Sequence, residues 1–493
     1  MLTRDPVRSA PPPRPDAAAA LVPHWVEFPI GELRPLDAFR RLAGDGPGVI
    51  LEELALDGHS VGYTIVAGDP AAMVLVDRSG VRVEGLRRPL PLEEGEVEGD
   101  GGGQLEGLRH LLAKLRAPGL PQLPTMTGGL AGVVSYEAAQ LLQGLAHPGG
   151  RGRPPLPPMV FLVLDRVLVF DHHRGVATLV AHVPPMLGAG AGRAALEELQ
   201  VRLRRPALGE APGAAGSRTL AVAPNIPADR FRAAVARVKQ DIARGEVYQA
   251  VLSRRLAAPC GEGGLEVYQR LRRLNPSPAM VFLRAHGVEL AGSSPEPLLK
   301  VQGRRVSTRP IAGTRRRGRN QREDLELEAE LTGDEKELAE HAMLVDLARN
   351  DLGRVCLPGS VLPTELRAVQ RLPRVMHLVS TVEGELAEGQ DALDALRAVF
   401  PAGTVTGAPK RRAMEIIARE ESTYRGPYGG ACGYLTFSGD LEFCITIRTA
   451  VVAGGQVQVQ AGAGIVADSD PGRELAETEA KASAILAAMR GSR

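Results

Sequence analysis

The chain has 493 residues, 44% hydrophobic and 24% charged, with Lys+Arg 59 against Asp+Glu 58 and a formal net charge of +1. That length exceeds one ordinary core and predicts two or three domains, and the balanced charge excludes the basic field that a nucleic acid or a membrane surface would need. Six residues are lysine; the richness in Arg, Ala, Gly and Pro reads as coding bias and not as phosphate recognition.

Residues 1–20 are rich in Pro and Ala and are expected to be a disordered tail. Their prolines interrupt the apolar core that a signal peptide requires, and no apolar run reaches membrane-spanning length. Cys260, Cys356, Cys432 and Cys444 show no CxxC spacing, so neither a zinc site nor a redox dithiol is indicated. Scattered thiols fit a reducing cytoplasm, the expected location.

An N-terminal domain over 21–205 is expected to mix short strands with helical pieces. "AAMVLVDRSGVRVEG" predicts a hairpin around Ser79–Gly80. "MVFLVLDRVLVFDHHRGVATLVAHV" reads as two strands joined at His173–Arg174–Gly175. A helix at about 191–204 leads into a linker at 206–226, and a second domain fills 227–493. It opens with a helix stopped by Gly245, then a strand with Val247, Gln249 and Val251 on one face. Strands are predicted at 278–285, 288–292, 297–302, 430–438, 441–452 and 456–461. Helices are predicted at 265–273, 321–332, 334–348, 391–399, 408–420 and 472–490. The hairpin "GYLTFSGDLEFCITIRT" implies antiparallel pairing, so the class is α+β and not a regular βαβ alternation.

Two helix starts carry a Glu-x-x-Glu pair, Glu337/Glu340 and Glu474/Glu477, each with both members on one face. Acidic residues near a helix start complement the macrodipole. The same pairs on two elements also suit Mg2+, which keeps several waters and takes one or two protein carboxylates. Spacing alone leaves both readings open. "PAGTVTGAPK" and "AGAG" place Gly403, Gly407, Gly462 and Gly464 in tight turns or anion-binding loops. Lys336, Lys410 and Lys481 stand out in an arginine-using chain. His377, in the apolar setting of "RVMHLVS", reads as a core histidine or a catalyst.

In order along about 245–485, "GEVYQAVLSRR", "NPSPAMVFL", "GSSPEPLLK", "TRPIAGTRRRG", "GDEKELAEHAMLVDLARNDLGR", "VMHLVSTVEGEL", "FPAGTVTGAPKRRAMEII", "GPYGGACGYLTF", "CITIRTA" and "QAGAGIVADSDPGRELAETEAKA" resemble the chorismate-utilising enzymes, above all the large components of anthranilate synthase. The first half resembles them faintly, through "GVILEEL" and "GGLAGVVSYE". The resemblance implies a two-domain α+β fold of antiparallel sheets covered by helices, the first domain being regulatory in type. It implies Mg2+ on Glu340 and Glu477, with Glu337 and Glu474 supporting through water, gripping the ring carboxylate of chorismate. The enolpyruvyl carboxylate would meet Arg448, Tyr428 and the Gly462/Gly464 amides, with Lys481 near the metal-bound end. His377 matches the catalytic histidine. Glu296 matches the general acid that assists departure of the ring hydroxyl, a role in which burial should keep it protonated. Thr314 and Thr404 match substrate-contacting hydroxyls.

Sister reactions differ in the nucleophile. Where isochorismate and salicylate synthases carry a lysine base the chain has Gln249, whose amide has no useful basicity. Where aminodeoxychorismate synthases often carry a nucleophilic lysine it has Ala312. Both departures imply direct attack by ammonia. "YQAVLSRR" and "CITIRT" favour anthranilate synthase, while "DLEF" before Cys444 is closer to aminodeoxychorismate synthase. No cysteine sits in a Gly-flanked nucleophile turn, so the ammonia is expected from a separate glutamine amidotransferase subunit. Asn275, Pro276 and Met280 match a tryptophan site of feedback-inhibited members, but Glu53 stands where those carry serine. Tryptophan inhibition is therefore an open expectation.

Overall fold

The computed structural model describes residues 7–9, 20–54, 61–97, 103–144, 154–206, 221–372 and 375–490. Its frame is two antiparallel sheets of 13 and 12 strands. The segments 21–205 and 227–493 share both of them. In the first sheet Gly48–Leu54 pairs with Ala279–Ala285, setting Glu53 opposite Ala279. In the second, Gly129–Val134 pairs with Ala431–Thr436. Val49, Leu51 and Val281 of the first sheet meet Leu75, Val133 and Val160 of the second in one buried cluster. Full burial of such side chains contributes about 1.5–3 kcal/mol each, so the two halves of the chain hold each other together. Helices Gly264–Leu274 and Pro471–Arg490 pack on the first sheet, and Glu335–Gly353 packs on the second.

Several expected elements take the predicted form. The hairpin Ala72–Asp77/Gly80–Glu84 closes with Asp77 opposite Gly80. Helix Ala228–Ala243 ends before Gly245, whose φ of 78° is one that glycine adopts without strain. Helix Glu335–Gly353 is longer than expected, and Asp334 caps it by accepting from the amides of Lys336 and Glu337. Within the tail, Arg8–Ser9 pairs with His24–Trp25 instead of being disordered, while residues 1–6 and 10–19 lie outside the described residues, as does linker stretch 207–220.

Other runs hide a change of sheet. Residues 159–183 form three strands, not two. Met159–Leu164 belongs to the second sheet, and the hairpin Arg166–Asp171/Val176–Val183 belongs to the first. The expected strand 441–452 is likewise two, Leu441–Ile445 in the second sheet and Thr449–Ala453 in the first. Val288–Ser294 lies in the first sheet and Pro297–Gln302 in the second. A strand buried on both faces shows no alternation, so periodicity cannot reveal where such a run breaks. Prolines on both sides of Glu296 remove the amides that would continue a ladder, and Arg448 turns the chain with a φ of 52°. The two later crossings lie side by side: the Ile445 amide donates to the Glu296 carbonyl at 3.0 Å and the Ser293 amide to the Arg448 carbonyl at 3.1 Å.

Candidate active site

The crossings place Glu296 and Arg448 at the junction of the sheets. Glu296 is 7% exposed. Burial pushes its carboxyl up to about 8, against the opposing pull of the neighbouring Thr404 hydroxyl, Lys481 and Arg448. It therefore holds its proton at neutral pH, as the acid role requires. Thr404, on the turn Gly403–Val405, has a buried hydroxyl with no well-formed hydrogen bond of its own. A cavity of about 40 Å3 separates Glu296 and Thr404 from Asp351.

His377, on strand Val375–Glu385, is not a core residue. Its Nδ1 lies 3.1 Å from both the Thr314 hydroxyl and the Gly313 carbonyl. A carbonyl can only accept, so Nδ1 carries the proton and Nε2 presents its lone pair. Burial lowers the imidazole below its ordinary range, outweighing the Gly313 carbonyl, and Arg448 lowers it further, which keeps it neutral.

Arg448 in turn interacts with Tyr428, Glu477 and Glu296. Gly462 and Gly464, on strand Gln456–Ile465, leave room for neighbours: a Cβ at Gly462 would stand 2.5 Å from the Tyr428 hydroxyl, and one at Gly464 would stand 2.7 Å from Gln249 Nε2. Lys481 ties the wall to its helix, with Nζ 3.1 Å from the Gly462 carbonyl and 2.5 Å from Glu477 Oε1. Gln249 Nε2 donates to Glu340 Oε1 at 3.0 Å.

The two acidic helix starts are linked through Lys336 of the first, which acts on Glu474 of the second. Glu474 is raised first by burial and then by Glu477, and is drawn down by Lys336 of the other acidic helix. Glu337 is raised by burial and by Glu340, against the hydrogen bond from Arg315 at 3.3 Å. Among the described residues, no group of three or more His, Cys, Asp or Glu could by itself hold a metal ion. The donor set still suits a hard, water-rich cation that needs only one or two carboxylates beside substrate oxygens. Within each pair one carboxylate raises its neighbour, Glu340 acting on Glu337 and Glu477 on Glu474, and a cation bound there would relieve that repulsion.

Lys410, singled out by its rarity, is engaged by two residues, Asp351 and Val399, that line the same small cavity as Glu296 and Thr404. Its ammonium bonds Asp351 at 2.7 Å and the Val399 carbonyl at 2.8 Å. Gly407 is no anion loop: with a φ of 133° it packs on strand Gln249–Pro259, where a Cβ would meet the Gln249 carbonyl at 2.0 Å. All four thiols are pushed away from the thiolate by burial, Cys356 to about 11 and Cys444 to about 12. None has the lowered value that marks a nucleophile.

Of the residues matched to a tryptophan site, Glu53 and Met280 line a cavity of about 840 Å3 between the sheets, whereas Asn275 and Pro276 are not among its lining residues. Asn275 instead bonds Ser293, donating to its hydroxyl at 3.2 Å. Burial, then Glu442, raises the Glu53 carboxyl to about 7, opposed by Lys300. Lys300 Nζ lies 3.0 Å from Glu442 and 3.9 Å from Glu53. Residues that spacing did not reveal include Glu137, Glu421 and Arg425, a buried charged group beneath Tyr428. Their hydrogen bonds span up to 289 positions, beyond any local pattern.

Residues 93–487 match the profile of the family described as chorismate binding enzyme. The chain is 45% identical to anthranilate synthase component 1 of Streptomyces coelicolor, over 96% of this chain and 91% of that protein. It is 42% identical to the component 1 of Thermus thermophilus, over 92% and 95%. The crystal structure of anthranilate synthase component I from Streptococcus pneumoniae superposes with a TM-score of 0.75 at 32% identity, covering 93% of this chain and 98% of that one. The chain thus belongs to the chorismate-binding enzymes.

Proposed function

We propose that the chain is the large component of an anthranilate synthase, a lyase that joins ammonia to chorismate and releases anthranilate and pyruvate for tryptophan biosynthesis in the cytoplasm. The observation that carries this reading is Gln249, whose amide is engaged with Glu340 at the position of the sister enzymes' lysine base. With Ala312 at the other lysine position, the chain activates neither water nor a covalent amine, and ammonia itself is the nucleophile.

Arg448 and Tyr428 would bind the enolpyruvyl carboxylate while Lys481, Glu340 and Glu477 define the end that receives the ring carboxylate. Mg2+ held by Glu340 and Glu477, with Glu337 and Glu474 behind them, would supply charge neutralisation for that carboxylate. Ammonia forms the C–N bond at C2, the ring double bond shifts and the C4–O bond breaks. Glu296 gives its proton to the departing hydroxyl, which leaves as water, and the nitrogen sheds its extra proton to solvent. In the second stage His377 Nε2 takes the C2 proton, the bond between ring and enolpyruvyl oxygen breaks as the ring becomes aromatic, and the released enolpyruvate takes a proton from solvent at its methylene carbon to become pyruvate.

The raised thiols support a separate amidotransferase subunit as the ammonia source. Purified chain should use ammonium salts and not glutamine. Glu53 and its Lys300–Glu442 partners support an inhibitor site that binds tryptophan poorly; micromolar inhibition would overturn that part. The deciding assay combines chorismate, Mg2+ and ammonium. Anthranilate fluorescence is expected, and accumulation of aminodeoxychorismate would assign the chain to the sister branch that "DLEF" resembles.

A further inference from the structure

Arg425 lies between helix Lys410–Glu420 and Tyr428 and is 4% exposed. Four of the five N–H donors of its guanidinium are engaged. Nε and Nη2 donate to the Glu421 carboxylate at 2.8 and 2.7 Å, Nη1 to the Val405 carbonyl at 2.7 Å, and Nη2 also to the Val251 carbonyl at 2.7 Å. Its centre lies 4.5 Å from the Tyr136 ring and 5.5 Å from the Tyr428 ring. The backbone is held as firmly: the amides of Arg425 and Gly426 donate to the Glu137 carboxylate at 2.8 and 3.0 Å. Glu421 continues the network to Ser253, accepting from its amide at 2.8 Å and its hydroxyl at 2.9 Å.

Three of these contacts, to Val405, Val251 and Tyr428, end beside residues of the candidate site. Val405 follows Thr404, which faces Glu296. Val251 stands opposite Gly464, two residues from Gln249. The Tyr428 hydroxyl occupies the space that a side chain at Gly462 would need. Burying an ion pair is seldom a net gain in stability over apolar side chains of the same shape. A planar guanidinium, however, fixes several partners in one geometry, which lysine cannot do.

We propose that Arg425 is a positioning residue for the reaction, setting Tyr428, the Thr404 turn and strand Gln249–Pro259 relative to one another. Tyr136 and Glu137 bring the first half of the chain into the catalytic unit. The inference rests on the assignment of Tyr428 and Thr404 to the substrate site, so those residues are tested first. In the full-length chain with chorismate, Mg2+ and ammonium, Tyr428→Phe and Thr404→Ala should each lower kcat/KM. Full activity in both overturns that assignment, and the proposal falls with it.

Given those losses, Arg425→Lys should lower kcat/KM about 100-fold with a rise in KM, and at least about 10-fold less in the Tyr428→Phe background, the non-additivity of coupled neighbours. Equal fold losses in both backgrounds would assign Arg425 to folding alone and overturn the proposal. If Arg425→Lys does not fold, Glu137→Gln takes its place in the same cycle, with the same two outcomes.

Discussion

Glu296 and Glu53 are both carboxyls raised well above their ordinary range, to about 8 and about 7, yet they sit in opposite surroundings. Glu296 borders a cavity of about 40 Å3 and Glu53 one of about 840 Å3. Around Glu296 every charged contributor is a cation, and burial alone keeps the proton on. Around Glu53 a second carboxylate adds to burial and a lysine bridges the two. The larger cavity is therefore the place of an ion cluster, and the tightly packed junction is the place of a carboxyl that burial keeps protonated. Cavity volume by itself does not mark a candidate catalytic group; desolvation that changes its protonation does.

The largest expected effect is on the carboxylate pairs. Glu340→Gln or Glu477→Gln, or treatment of the wild type with EDTA, should bring anthranilate formation to the detection limit; turnover that survives EDTA would remove Mg2+ from the reaction. Glu296→Gln should lower kcat by about 100- to 10,000-fold, the range of a lost general acid, with KM little changed. The same comparison fixes a pH dependence. A carboxyl raised to about 8 is protonated below that pH and loses its proton above it. Thus kcat/KM, expressed per free ammonia, should fall above about pH 8, whereas an ordinary glutamate would place that limb near about pH 4.3. His377→Ala should cost about 100-fold in kcat, affecting aromatisation more than binding, and an unchanged kcat would take it out of the mechanism.

The effects at the second carboxyl are smaller. Glu53→Ser should increase the sensitivity of turnover to tryptophan, read as a leftward shift of the inhibition curve; an unmoved curve would show that Glu53 does not control the cavity. Smallest of all, Lys300→Met should cost at most about 1 kcal/mol in a denaturant titration, because exposed or half-exposed ion pairs contribute little. Lys300 retains 34% side-chain exposure.

Much of the candidate site was legible as motifs. Glu296, His377, Arg448, Tyr428 and the Glu-x-x-Glu pairs all lie in segments whose order matches one family, and helix starts and hairpins follow from local caps and turns. The sheet changes at Asp165, Glu296 and Arg448 were not legible, because a run buried on both sides looks the same whether it stays in one sheet or passes to another. The destination of Lys410 was hidden for a related reason: a rare lysine shows that an ammonium is present, but not that Asp351 and the Val399 carbonyl engage it.

By itself, the sequence determined the α+β class, most helices, and which chemical groups are available, since periodicity, capping and residue type are local properties. Tertiary structure decided that the two halves share both sheets, that Glu296 is dry enough to keep its proton, and that Arg425 links Tyr136 to Tyr428. Those outcomes depend on strands and side chains separated by hundreds of positions, whose meeting is set by the packing of two sheets and not by neighbours along the chain.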